Sequence, residues 1–133
     1  SKPVFITHVG ARKLWDIKRL KPDKVFRACA EKGGIIGIEA APHTTITENH
    51  PRHNIESFME HFEYIIDLVG IDHVAFGPDT NFGDHVKLHH EFRKLLSIDE
   101  EKTENSPENI EVEYVKGLEN PSENFKNSRS LKV

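Results

Sequence analysis

Three short and continuously apolar segments, separated by two helical patterns, constrain the fold of this chain most. The segments are PVFIT at 3–7, IIGIE at 35–39 and HVAF at 73–76. Apolar residues recur at helical spacing after Pro22-Asp23 and again from Ile55 to Val69. Strands without polar alternation are covered on both faces, which is typical of parallel sheets. The sequence therefore predicts an α/β fold with parallel strands and crossover helices.

Chain length limits how much of such a fold is present. With 133 residues the chain is one domain or part of one, and a closed eight-stranded barrel of this class needs about 250 residues. We expect a folded region over 1–98 and a polar, irregular tail over 99–133, because six acids fall between Asp99 and Glu111 against one lysine. Within the tail, only 110–118 is predicted to be partly ordered.

Composition excludes several classes of partner. The net charge of −4 argues against nucleic acid, whose partners usually carry a basic surface. We see no apolar run of about 18 residues and no signal peptide, so we expect no membrane association and a cytoplasmic protein. The single cysteine, Cys29, fits a reducing compartment and a place in the core.

Candidate functional residues follow the predicted strands, since chemistry in parallel sheets gathers at the carboxyl ends of strands. His8 follows the first strand, the segment from Glu39 to His43 follows the second, and Asp79 follows the third. A neutral imidazole can ligate a metal, and a carboxylate can ligate one or accept a proton from water. Each also has a structural alternative: His8 as a capping or core histidine, and Asp79 as part of a Gly-Pro-Asp turn.

A basic stretch after His8 contains Arg12 and Arg19, whose planar forks suit a substrate carboxylate better than lysine does. The alternative is a solvated helix face. Other histidines offer weaker metal-binding patterns, in the loop with His43, His50 and His53 or at the i, i+4 pair His85 and His89. We predict that His61 is at the surface or half-buried and that His73 packs.

Four segments together resemble a known family. PVFITHVGAR, KRLKPDKVFRACAEKGGIIGIEAAPHT, MEHFEYIIDLVGIDHVAFGPDTNFGDH and VKGLENPSE resemble the C-terminal part of the membrane (renal) dipeptidase family, in the metal-dependent amidohydrolase superfamily. The resemblance covers roughly Lys2 to Asn127. It is carried by a strand-end histidine, an R-x-x-P-D helix start eleven residues on, and F-G-x-D after the third strand. It implies a partial (β/α)8 barrel comprising about strands six to eight.

The same resemblance implies an activity and residue roles. Members of the family carry two zinc ions and hydrolyse dipeptides. His8 matches a ligand of the second metal, Arg19 the arginine that grips the dipeptide's terminal carboxylate, and Asp79 the group that handles the proton of the attacking water. The substrate loop falls on 41–45, where His43 and Thr44 are candidate substrate contacts.

The family's other metal ligands precede the matched segment, and these 133 residues do not include them. We therefore expect this chain alone to load zinc incompletely and to be inactive, since a catalytic zinc normally takes three protein ligands. Three strands leave two sheet edges, so we expect a homo-oligomer or a complementary N-terminal half. Two alternatives stay open: a non-catalytic dipeptidase-derived protein that binds a ligand or partner, and a histidine-based metal-binding module.

Overall fold

A computed structural model of the chain describes residues 2–41, 44–80, 87–88, 91 and 114–118. Its elements are β1 (Phe5–Val9), α1 (Asp23–Ala30), β2 (Ile35–Ile38), α2 (Ile55–Val69), a 3-10 helix (Ile71–His73) and β3 (Val74–Phe76). The strands form one parallel sheet in the order β1-β2-β3. The predicted α/β class with parallel strands and crossover helices is confirmed.

The first strand ends later than the sequence predicts. β1 continues through His8 to Val9, because its pairing with β2 shifts register between Ile6 and Val9 and then resumes at Val9 opposite Ile38. Such a shift adds residues to one strand of a pair and bends it. His8 therefore lies within the irregular part of β1 rather than beyond the strand.

Both helices have clear start and stop signals. Pro22, with φ fixed at −76°, precedes α1. At α2, Asn54 and Ser57 form a reciprocal capping box, in which each side chain accepts a hydrogen bond from the other residue's backbone N–H. Gly70, at φ 90°, ends α2 in a conformation that other residues rarely adopt. These local signals explain why the predicted and observed bounds of α2 agree.

The hydrophobic core lies where the two helices cover the sheet. Ile36 and Ile38 of β2 are fully buried, as are Phe26 of α1 and Phe58 of α2. The Phe58 ring meets the Phe76 ring edge-on, with centroids 5.7 Å apart. The short segment 114–118 packs on the same core through Val115 and Leu118, and Cys29 is buried there as predicted.

The remaining residues of 81–133, with His85 and His89 among them, lie outside the described part of the chain. Within the described part, no helix combines the length and the apolar character needed to cross a membrane.

The prediction for His61 is wrong, because this side chain is fully buried. Its Nδ1 accepts a hydrogen bond from the Ala11 N–H at 3.0 Å, and its Nε2 lies 3.1 Å from the Ile46 carbonyl oxygen. That pair of bonds requires a neutral imidazole protonated at Nε2. His61 thus ties the segment after β1 to the segment after β2, the two connections that flank the site.

Stability should depend on pH through His61. Burial, opposed in part by the Ile46 hydrogen bond and the charge of Glu60, lowers the pKa of His61 below its ordinary 6.5. The unfolded chain then binds more protons than the folded chain, so the free energy of unfolding should fall as pH drops from about 7 to 5. Urea denaturation across this range measures the slope.

The matched variant for that measurement is His61→Gln, which offers an amide acceptor and donor and does not titrate. We expect a shallower pH dependence for this variant. Equal slopes for the two proteins would show that His61 is not the group that links protonation to unfolding.

Candidate active site

Four polar side chains meet at the carboxyl edge of the sheet. His8 comes from β1, Glu39 directly follows β2, and Asp79 follows β3 by three residues. One potential ligand atom from each of these three lies within 4.8 Å of the other two. Arg19 enters from the β1–α1 connection and contacts two of them. The strand-end residues that the sequence singles out are therefore neighbours in space.

Two glycines make room for the bulge that carries His8. A Cβ on either Gly37 or Gly77 would come within 3.0 Å of the Thr7 carbonyl oxygen, which is backbone and cannot move aside. Only glycine allows this approach. The Thr7 hydroxyl then lies 3.0 Å from Nδ1 of His8, and Nε2 of His8 lies 3.8 Å from Oδ2 of Asp79.

Arg19 joins the two carboxylates. Its Nη2 donates to Oε2 of Glu39 at 2.8 Å and to Oδ2 of Asp79 at 3.3 Å. The Glu39 side chain is 0% exposed, whereas those of Arg19 and Asp79 are 47% and 41% exposed. Glu39 is thus the inner wall of the site, and Arg19 and Asp79 face outward. Among the described residues, no acceptor engages Nε or Nη1 of Arg19, so N–H groups on these two nitrogens have no described partner.

Arg12, the other arginine considered for a carboxylate clamp, has a structural role instead. Its Nε donates to the Leu20 carbonyl at 2.9 Å and its Nη2 to the Lys18 carbonyl at 2.8 Å. Both bonds close the loop in which Arg19 lies. The structure therefore separates the two candidates, with Arg12 shaping the loop and Arg19 reaching the cluster.

Asp79 has a backbone conformation that is rare for residues other than glycine. Its φ is +60°, a region where Asp and Asn occur more often than other side chains. The preceding backbone is tied to the end of β2, since Gly77 N–H donates to the Ile38 carbonyl at 3.1 Å and Ala40 N–H to the Pro78 carbonyl at 3.2 Å. Such local strain is common at functional sites and persists because its surroundings fix it.

The donor set suits a divalent metal. One imidazole nitrogen and two carboxylates are ligands that zinc takes in catalytic sites. Oε1 of Glu39 is buried and has no hydrogen-bond partner among the described residues, a state that costs about 1–3 kcal/mol unless a donor or cation satisfies it. Within the described residues this is the one group of three potential ligands that lie close together.

The predicted substrate loop is only partly described. Thr44 donates through its hydroxyl to the Ala41 carbonyl at 2.8 Å, so it shapes its own turn, and no described contact joins it to Arg19 or Asp79. His43 lies outside the described residues.

The nearby histidines are engaged elsewhere. His50 lies 3.8 Å from the Glu60 carboxylate, which also accepts hydrogen bonds from Thr47 and Asn49. His53 is buried, with its Nδ1 3.5 Å from the Thr45 hydroxyl. Neither histidine belongs to the described three-ligand group, and nothing in that group supports the histidine-loop alternative.

Glu39 is the residue whose role sequence reasoning missed. The sequence places Glu39 directly after the second predicted strand. It predicts no role for the Glu39 carboxylate, because IIGIE also fits an ordinary buried strand. The available signal is an acid that ends an otherwise apolar segment, because glutamate is almost never fully buried unless it is paired.

Comparison with known proteins places this geometry in context. Residues 1–98 match the family model described as Membrane dipeptidase (Peptidase family M19). The dipeptidase aclJ of Aspergillus oryzae is 28% identical over 83 residues, which are 62% of this chain and 20% of that protein.

Two solved structures superpose on 59% of the chain with TM-scores of 0.53. An amidohydrolase from Pseudomonas aeruginosa is 26% identical, with 24% of its length covered. A metallo peptidase from Rhodobacter sphaeroides, liganded with a phosphinate mimic of the dipeptide L-Ala-D-Ala, is 25% identical, with 23% covered. The chain thus spans about a quarter of the length of these proteins or less.

Proposed function

The chain belongs to the membrane dipeptidase family, peptidase family M19, and from that premise we propose that it forms the C-terminal, substrate-handling part of a zinc-dependent dipeptidase. The reaction adds water across the peptide bond of a dipeptide and releases two amino acids. The observation that carries the proposal is the contact of Arg19 with both Glu39 and Asp79 at the sheet edge that also holds His8. The parallel order β1-β2-β3 supports the assignment of these strands as the sixth to eighth of a (β/α)8 barrel.

Each residue has a distinct task in this proposal. Arg19 binds the terminal carboxylate of the dipeptide, because its side chain is half-exposed and its Nε and Nη1 N–H groups can donate charge-assisted hydrogen bonds to a carboxylate. Asp79 accepts the proton of the attacking water and passes it to the leaving amine, a general base and acid role that suits a half-exposed carboxylate beside His8. Thr44 and His43 stay candidate substrate contacts.

Zinc is the metal that the donor set favours, with His8 as the ligand and Glu39 and Asp79 as the nearest further donors. A zinc ion supplies Lewis-acid activation of water and of the scissile carbonyl. Both carboxylates are engaged by Arg19, so these residues alone make a weak site for one ion. We propose that further ligands come from outside these 133 residues, in a longer chain, in a complementary half or in a second copy.

The carboxylate clamp can be tested on the isolated chain. NMR titration should show that L-Ala-D-Ala binds about tenfold more tightly than its C-terminal amide, because a hydrogen-bonded charge pair contributes about 1.5–3 kcal/mol. Arg19→Ala should abolish this preference. Arg12→Ala is the matched control, since Arg12 is bonded to the Lys18 and Leu20 carbonyls, and it should keep the preference. A preference that survives Arg19→Ala would contradict the assignment.

A further inference from the structure

Glu39 is a buried acid whose presence needs a physical reason. Its carboxylate is 0% exposed and directly follows a strand whose last three residues are buried. Burial of an ionised carboxylate is strongly unfavourable unless a positive charge or several donors compensate it. Among the described residues, the compensating group is the guanidinium of Arg19, bonded to Oε2.

The two contacts of Arg19 are unequal. The Nη2 atom lies 2.8 Å from the buried Glu39 oxygen and 3.3 Å from the half-exposed Asp79 oxygen. The shorter bond is in the less solvated surroundings, where a charge-assisted hydrogen bond is stronger. Glu39 is therefore the anchor of the guanidinium, and Asp79 is the weaker partner.

We propose that Glu39 is a positioning residue that fixes the Arg19 guanidinium for a substrate carboxylate, an inference that rests on the proposed function. A long, half-exposed arginine has many rotamers, and ordering them on ligand binding costs affinity. A buried acceptor that holds Nη2 selects the orientation beforehand. The Arg19 side chain is 47% exposed, so part of it stays accessible to a ligand while Nη2 is held.

The same anchor keeps Asp79 available. Asp79 is the other carboxylate that Arg19 contacts, so an unanchored guanidinium would pair more closely with it. That pairing would occupy both the group that binds the carboxylate and the group that transfers the proton. Glu39 thus separates two functions that would otherwise neutralise each other.

The charge of Glu39 also has an effect that opposes ligand binding. The negative charge of Glu39 repels a ligand carboxylate and weakens the field of Arg19. Because the Glu39 charge is fully buried and paired with the guanidinium at 2.8 Å, we expect orientation to outweigh this repulsion. The two effects predict opposite signs, so removing the acceptor distinguishes them.

The test measures the affinity of the full chain for L-Ala-D-Ala and for its C-terminal amide by NMR titration. Glu39→Met has a similar length but neither a charge nor an oxygen acceptor, so the dissociation constant for the dipeptide should rise about tenfold, as for loss of one charge-assisted bond. Binding of the amide should not change. Glu39→Gln retains an acceptor oxygen for Nη2 and should stay within about threefold of the unmodified chain.

A double-mutant cycle tests whether Glu39 affects dipeptide affinity through Arg19. If Glu39 acts through Arg19, Glu39→Met should cause no further loss in the Arg19→Ala background, whereas a general structural defect would add to it. Glu60→Met is the control, since Glu60 is bonded to Thr47 and Asn49 and is not in the cluster. This control should leave both affinities unchanged.

Several outcomes would overturn the inference. Glu39→Met binding the dipeptide as tightly as the unmodified chain, or more tightly, would show that repulsion dominates. A loss that persists in the Arg19→Ala background would show a purely structural role. If the unmodified chain fails to discriminate dipeptide from amide, the proposed function itself fails, and this outcome is distinct from a failure confined to Glu39→Met.

A second variant covers the case in which Glu39→Met does not fold by circular dichroism. Glu39→Asp keeps the charge but is one methylene shorter, which withdraws the carboxylate from Nη2. We expect its dissociation constant for the dipeptide to rise about fivefold, with the amide unaffected, because hydrogen bonds weaken steeply with distance. An unchanged dissociation constant for the dipeptide would overturn the inference.

Discussion

Replacing Asp79 by asparagine should reduce the rate of L-Ala-D-Ala hydrolysis about a thousandfold, because an amide cannot accept the proton that general base catalysis moves. The substitution changes little else. Asparagine has the same shape as aspartate and tolerates the observed φ of +60° equally well. Dipeptide binding should stay within a few-fold, since Arg19 remains paired with Glu39. The measurement is steady-state hydrolysis by the chain supplemented with the preceding strands of a family member and with zinc.

Asp72→Asn provides the control for this experiment. Asp72 lies in the 3-10 helix before β3 and is exposed, so the same chemical change there should leave the hydrolysis rate intact. Retention of a tenth or more of the rate by Asp79→Asn would contradict a proton-transfer role. Equal losses in the two variants would point to a defect in folding.

Replacing Gly37 by alanine should cost about 3 kcal/mol of unfolding free energy, at the upper end of what overpacking usually costs. The new Cβ would meet the Thr7 carbonyl within 3.0 Å, so β1 would have to move away from β2. Because His8 follows Thr7, this movement would also displace the imidazole from Asp79. Urea denaturation gives the stability change, and the His8 ring resonances report the displacement.

Gly33→Ala separates steric overlap from backbone conformation. Gly33 has φ +69° and nothing within 4 Å of an added Cβ, so it incurs only the conformational penalty of about 1 kcal/mol. Gly37→Ala should be clearly the more destabilising of the two. If the two substitutions cost the same, the close approach of Thr7 is not what requires glycine at position 37.

Local signals account for the parts of the fold that the sequence predicts. The bounds of α2 follow from the Asn54 cap, an apolar stripe and Gly70, all adjacent in sequence. The end of β1 was not predictable in this way, because the bulge at Thr7 depends on glycines in two other segments. The burial of His61 is unpredictable for the same reason, since its partners, Ala11 and Ile46, are 50 and 15 residues away.

In the candidate site, too, the sequence predicts which residues are present but not the contacts between distant segments. The strand-end rule and the resemblance to dipeptidases both single out His8 and Asp79, and the structure brings them together. The anchoring of Arg19 by Glu39 requires a contact between the β1–α1 connection and the end of β2. Arg12 stays in its own loop because its guanidinium donates to the backbone carbonyls of Lys18 and Leu20. No sequence pattern specifies either contact.

The most direct test of the proposed function is zinc-dependent hydrolysis of L-Ala-D-Ala by the isolated chain and by the chain mixed with a polypeptide that holds the preceding strands of a family member. These 133 residues offer one histidine and two carboxylates already engaged by Arg19, fewer free ligands than a catalytic zinc normally takes. We predict no turnover by the isolated chain and turnover by the mixture. Stoichiometric binding of two zinc ions with turnover by the isolated chain would contradict the proposal.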